Sequence, residues 1–323
     1  MTDMFEEKIN KLIKLKENGI ISKNELLSTA EVLLEDVEEF VFPVLNHGLK
    51  YTLVYYDGIL GYEVSKGRCD NCYIVDIEST YRGLPVIGIA TRGFEYLSDL
   101  TEFCFPMDLI YIGDGAFSGC VNLSKADLRY RYELSEIGSE AFLGCESLEE
   151  IQLPNTIKRI DDDAFSCCDH LRRFEICETF KTRENSITKL PDVCSRCYNL
   201  DVVSIESTEI EEIGPYAFSS CESLRIVSLP KTIKKIGKCA FSECYNLQTI
   251  YTNIHCEDWD KIEKANDWNR DTPEFTIKCW DGHIKINKGT DYLYSEQWLK
   301  DQLAMNPNPT ARELLIKRYL DNK

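Results

Sequence analysis

Histidine is the scarcest chemically useful residue in this chain of 323, with only four present. His47, His170, His255 and His283 stand far apart, and none is spaced with a serine or aspartate as a triad or metal motif requires. Glycine-rich phosphate loops, HExxH and GxSxG are all missing. No apolar run approaches the ~18 to 20 residues that cross a bilayer. Met1 to Glu7 has neither the basic nor the apolar part of a secretory leader, so no membrane span and a cytoplasmic location are expected. Positive charge is also short: 37 Lys and Arg face 55 Asp and Glu, for a formal net charge of −18. Nucleic acid and anionic membranes are therefore excluded as main partners, because both select clustered cations. Cysteine, by contrast, is abundant at 15. In a reducing compartment these are expected to be thiols, not a disulfide framework.

What the chain does have is self-similarity. Ile112-Gly113-Asp114-Gly115-Ala116-Phe117-Ser118-Gly119-Cys120-Val121-Asn122-Leu123 recurs as Ile137-Gly138…Ala141-Phe142…Cys145…Leu148. It returns at Ile160…Phe165…Cys168, Ile213-Gly214…Phe218…Cys221 and Ile236-Gly237…Phe241…Cys244. Degenerate copies lie at Val86-Ile87-Gly88…Phe94…Leu97 and at Leu190…Val193-Cys194…Cys197, where Cys194 takes the Phe place. Each unit closes on an alternating segment such as Leu148-Glu149-Glu150-Ile151-Gln152-Leu153-Pro154, which reads as a strand with one face buried, ended by its proline. The Ala-Phe-x-x-Cys segment reads as a tight turn that sends Phe and Cys inward. One such unit has no partner for its apolar edge, and stacking supplies it.

The pattern closely resembles the BspA-like leucine-rich repeat family, over roughly residues 47–288. Val75 to Val86 looks like that family's leading strand. Ile250 to Gly282, with Trp259, Trp268 and Phe275, looks like its C-terminal unit. The resemblance implies a right-handed solenoid of parallel strands that binds macromolecules, without catalytic residues or cofactor. It also implies relatives at cell surfaces, and the absence of a leader departs from them. The expected organisation is an α/β repeat: a helical hairpin over 1–45, a β lead-in over 46–83 and about seven repeats over 84–254, one of them degenerate near 187–205. A β cap over 255–288 and two helices over 289–323, at Ser295–Ala304 and Thr310–Leu320, complete it. In the N-terminal hairpin Ser22-x-x-Glu25 is a capping box. Lys11 to Leu27 also resembles the helix pair of the short C-terminal (SHOCT) domain, which implies self-association through residues 3–40. The competing reading is a cap over the solenoid end.

A protein partner is expected on the strand face, where residues flanking the central aliphatic point outward. Those columns contain Glu102 and Cys104, Lys125 and Asp127, then Glu150 and Gln152, Arg173 and Glu175, Val202 and Ser204, Ile226 and Ser228, Thr249 and Tyr251. Val202, Ile226 and Tyr251 are expected to form one apolar stripe. Arg129, Tyr130, Arg131 and Tyr132 offer a second contact, and the polar stretch Cys177 to Thr188 is an insertion. Cys69-x-x-Cys72 and Cys194-x-x-Cys197 have metal-like spacing, but the second pair sits in repeat register as core and the first has no companion ligands, so no metal is expected. Two alternatives remain: a surface adhesin, and a carbohydrate-binding or hydrolytic protein using carboxylates beside Trp259 and Trp268. Those tryptophans fit better as cap core.

Overall fold

A computed structural model of the protein describes residues 2–35, 48–69, 72–178 and 186–287. The two C-terminal helices expected from sequence, His47, and residues 179–185 of the insertion lie outside the described residues.

Helices α1 (Thr2–Glu17) and α2 (Lys23–Glu35) form the N-terminal hairpin. The capping box is made: Ser22 N donates to Glu25 Oε2 at 2.8 Å, and Glu25 N donates to Ser22 Oγ at 3.2 Å. Ile9, Leu26, Ala30 and Leu34 are buried, and α2 packs on the strand Lys50–Tyr56. That strand is the outermost member of its sheet, so the hairpin covers an edge.

Behind it the chain coils. Each coil lays one strand on a long-strand face and a two-residue strand on a second face, then turns through Ala-Phe-x-x-Cys. The long-strand face contains Glu150–Pro154, Arg173–Cys177, Val202–Ser204, Ile226–Leu229, Thr249–Thr252 and Phe275–Lys278, all parallel. His283–Ile286 closes it antiparallel. The preceding coils place Ile74–Asp76, Glu102–Cys104 and Lys125–Ala126 in a separate three-stranded sheet. The face expected to be one continuous ladder is therefore broken, at the coil whose extra length carries Arg129 to Tyr132. Pro154 is the last residue of its strand, which ends there as expected. The strand is outermost in its sheet, which is where a residue without an N–H is tolerated, and Asn155 N takes the next bond, to Cys177 O.

The interior is a set of ladders. Phe94, Phe117, Phe142 and Phe165 stack with ring centroids 5.5, 5.0 and 5.1 Å apart. Each repeat cysteine donates its thiol to a carbonyl of the preceding coil: Cys120 to Phe94, Cys145 to Phe117, Cys168 to Phe142, Cys197 to Phe165, Cys221 to Cys194 and Cys244 to Phe218. Burial pushes the Cys120, Cys145, Cys168, Cys221 and Cys244 thiols up, Cys120 to about 12, so they stay protonated and act as small apolar fillers with a weak donor, whereas at Cys197 burial is outweighed by hydrogen bonds from Cys168 and Cys194, which pull its thiol down. The Gly of the Ile-Gly pair marks close approach between coils: a Cβ on Gly214 would lie 2.8 Å from Leu190 O.

The turns use left-handed backbone at ordinary residues. Glu140, Asp163, Tyr216 and Cys239 have φ of 57°, 58°, 60° and 53°, and glycine fills the same place at Gly115. Glu140 is exposed and contributes only backbone bonds to the turn. Glu140→Gly should therefore relieve left-handed strain by more than it adds chain entropy. We expect a gain of about 0.5 kcal/mol, read as a higher urea midpoint at unchanged m.

Candidate functional site

Backbone register assigns the outward residues of the long-strand face to two columns. One runs Glu150, Arg173, Val202, Ile226, Thr249, Thr276, and the other Gln152, Glu175, Ser204, Ser228, Tyr251, Lys278. All the candidate strand-face residues therefore point outward, but Tyr251 stands opposite Ser228 and not Ile226. The expected stripe of Val202, Ile226 and Tyr251 is corrected accordingly. It is a Val202–Ile226 pair continued by Thr249 and Thr276, with Tyr251 on the neighbouring column, because side chains two apart on one strand belong to different columns. Lys278 lies over the Tyr251 ring at 5.0 Å, and its Nζ reaches the phenol oxygen at 3.3 Å.

Charge is distributed unevenly on this face. At the N-terminal end Glu102 pairs with Lys125 at 3.3 Å, and Gln152 donates to Glu175 at 3.1 Å. From Val202 onward neither column contains a charge until Lys278. At the rim, Arg225 makes a two-pronged bond to Asp201 at 2.6 and 2.6 Å, which holds the Asp201 carboxyl below its ordinary range. The second face is the opposite case. Its outward column reads Glu136, Arg159, then Lys189, Glu212, Lys235, Glu263. Neighbours are ion-paired: Arg159 to Glu136 at 2.6 Å, Lys189 to Glu212 at 3.2 Å and Lys235 to Glu263 at 3.8 Å.

The Arg129–Tyr132 segment adjoins the strand face. Arg129 Nη1 donates to Gln152 Oε1 at 3.4 Å, and its guanidinium sits 5.5 Å from the Tyr130 ring. Tyr130 is 49% exposed and meets Tyr132 edge-on at 6.3 Å. Arg131 is turned inward, with Nε donating to Phe105 O at 3.0 Å, so its role is in the fold.

Other expectations are redistributed. Cys69 and Cys72 are joined in a disulfide, which corrects their reading as thiols; the other thirteen cysteines are free. Cys69 closes the turn before it, with its N donating to Lys66 O at 2.8 Å. Cys194 and Cys197 are fully buried. Trp259 and Trp268 are buried too, 6.2 Å apart, and Trp268 meets Phe241 at 6.0 Å, so they extend the aromatic core into the cap. Among the described residues the exposed tryptophan is Trp280, against His255, whose Nδ1 lies 3.1 Å from Asp281 Oδ2.

Sequence reasoning missed a groove on the turn face, about 530 Å³ in volume, lined in part by Asp192, Arg196, Tyr198, Tyr216, Glu222 and Glu243. Asp192 Oδ1 is buried without a hydrogen-bond partner. Burial first, and the Asp163 charge second, push its carboxyl up to about 6; Ser195 and Arg196 act the other way. The unfolded value is near 4. The folded state thus holds this proton more tightly, and the stability it contributes is complete below pH ~4 and lost as pH rises through ~6. Asp192→Asn should accordingly raise the melting temperature at pH 7.5 and leave it nearly unchanged at pH 4. Thermal melts at the two pH values check the difference.

Comparison with curated proteins gives no match. Among solved structures, a leucine-rich repeat protein of T. pallidum is 25% identical with a TM-score of 0.51, over 62% of this chain and 88% of that one. A leucine-rich repeat protein of Bacteroides ovatus is 21% identical (TM-score 0.41; 70% and 67% covered), and one of Eubacterium ventriosum 24% identical (0.43; 62% and 45%). Residues 64–190 and 188–264 match the pattern described as the BspA type leucine rich repeat region, in six copies. With well over half its length in that pattern, and with the Phe and Cys ladders running through those same residues, the chain belongs to the BspA-type leucine-rich repeat family.

Proposed function

We propose that the chain is a non-enzymatic interaction module that binds a protein partner on the C-terminal half of the long-strand face. One observation carries this: the outward residues Glu136, Arg159, Lys189, Glu212, Lys235 and Glu263 of the second face and Glu150, Arg173 and Glu175 of the long-strand face are charged, with ion pairs along the second face, and the charge stops at Val202, Ser204, Ile226, Ser228, Thr249 and Thr276. Interface centres are depleted in charge and ringed by polar groups, and here Asp201–Arg225 and Lys278 supply such a ring. A standard interface takes about 800 Å² from each partner. That exceeds this block, so Arg173, Glu175, Gln152, Glu150 and the adjoining Arg129–Tyr130 fall within the expected footprint. The test is affinity purification of the intact tagged chain beside a Val202→Asp/Ile226→Asp variant. Recovery of the same proteins at the same yield by both would refute the assignment.

The module is placed in the cytoplasm as part of this reading. Thirteen free thiols support a reducing compartment, and the Cys69–Cys72 disulfide argues the other way. Fractionation of the source cell that finds the chain outside would overturn the placement.

A further inference from the structure

Two sulfurs meet at the C-terminal cap. The strands Thr249–Thr252 and Phe275–Lys278 are parallel neighbours, so the segments that leave them start side by side. The first turns into the short helix Cys256–Trp259. The second turns through Cys279, Trp280, Asp281 and Gly282 into His283–Ile286. Three hydrogen bonds hold the two segments in place: Trp280 N donates to Ile254 O at 2.9 Å, Cys256 N to Asp281 Oδ1 at 2.8 Å and Cys279 N to Gly282 O at 2.9 Å. The Cys256 sulfur packs on Gly282, where an added Cβ would lie 3.3 Å from it. A side-chain hydrogen bond joins the Cys256 and Cys279 thiols.

Accessibility sets this pair apart. Among the described free cysteines, Cys104, Cys167, Cys256 and Cys279 reach the surface and the others are buried. Cys104 stands among Asp76, Glu102 and Asp127, and the thiol beside Cys167 is the fully buried Cys197. Cys256 and Cys279 bring two accessible thiols together, which is what exchange with a small disulfide requires. Burial first, and the bond to Cys256 second, push the Cys279 thiol up to about 12, so Cys279 rests protonated and Cys256 is the attacking sulfur. We propose that Cys256 and Cys279 are a dithiol site that glutathione disulfide oxidises reversibly to an intramolecular disulfide. Cys256 loses its proton to water and attacks one sulfur of glutathione disulfide, releasing a glutathione thiolate and leaving a mixed disulfide. Cys279 gives its proton to that thiolate and attacks Cys256 Sγ, and the second glutathione leaves and takes up a proton from water. Two protein thiols are oxidised and one glutathione disulfide is reduced to two thiols. The bond closes the segment 256–279, which carries the buried Trp259 and Trp268, into a loop at the end of the solenoid. The site does not depend on the strand-face reading.

The test incubates the intact protein with excess glutathione disulfide, blocks the remaining thiols with an alkylating reagent and maps the peptides by mass spectrometry. Cys256 and Cys279 are expected in one cross-linked pair, lighter by two hydrogens, and excess reduced glutathione should restore both thiols. The cross-link should be lost in Cys279→Ser, where Cys256 accumulates as the mixed disulfide because nothing resolves it. It should also be lost in Cys256→Ser, where Cys279 stays free. Cys104→Ser should form it like the parent. The parent protein decides the central point without any variant. Cys256 and Cys279 still alkylated after excess glutathione disulfide, two separate glutathione adducts in the parent, or a cross-link from either residue to another cysteine would each overturn the proposal. Glutathione on Cys279 in Cys256→Ser would overturn the order of attack.

Discussion

Replacing Phe174 by alanine should lower the stability of the repeat region by about 3 to 5 kcal/mol. The aromatic stack that runs through the coils has a gap at Cys194, where the degenerate repeat lacks its Phe. Phe174 fills that gap from a different direction. It lies on the strand Arg173–Cys177, in a row where the neighbouring coils have Ile151, Val203, Val227 and Ile250. Its ring reaches 5.8 Å from Phe165 on one side and 6.3 Å from Phe218 on the other, both edge-on, where the regular stack is face to face. A fully buried aromatic that joins two halves of a core has no mobile neighbour to collapse into its place. The compensation gives a sharper test. Cys194→Phe alone should overpack the site and cost about 1 to 3 kcal/mol. In the Phe174→Ala background the same substitution should recover part of the loss, a coupling above about 1 kcal/mol in a double-mutant cycle. Urea melts of the four proteins measure it. A Cys194→Phe penalty of equal size in both backgrounds would show that Phe174 does not occupy the missing ring's volume.

The residue pattern made most of the fold legible. Repeat spacing located Phe117, Phe142, Phe165, Phe218 and Phe241 in the core, and the substitution of Cys194 for Phe could be read before any coordinates. These are local and periodic signals, and stacking converts each into a ladder. Signals that depend on where neighbouring coils settle were not legible. Tyr251 fell into the wrong column because pattern reading identifies which residues face out and leaves open which stand abreast. The groove at Asp192 needed side chains of two successive coils to be combined. The inward turn of Arg131 needed the Phe105 carbonyl, 26 positions away.

Aspartate at both Val202 and Ile226 should weaken binding to the strand-face partner at least about 100-fold and leave the fold intact. The two residues are directly opposite on adjacent parallel strands, and both are half-buried by their neighbours without a partner present. In the free protein their side chains already face water, so an aspartate there is solvated. The cost to folding is the mutual repulsion of two like charges across one ladder step, about 0.2 to 1 kcal/mol. In the complex the same carboxylates would lie at the centre of a desolvated patch without donors opposite them. An unmatched buried polar group costs about 1 to 3 kcal/mol and a charge more, so two together exceed the 2.7 kcal/mol that corresponds to a hundredfold change. Surface plasmon resonance against the captured partner reads the affinity, and a thermal melt reads the fold. Glu212→Gln on the second face is the matched control: it removes the 3.2 Å pair with Lys189 but leaves the strand columns untouched, so it should bind like the parent. If Glu212→Gln abolished binding and the double aspartate variant did not, the partner would sit on the charged ladder. The uncharged block would then reflect only the neutral residues that the degenerate coil and its successors happen to carry.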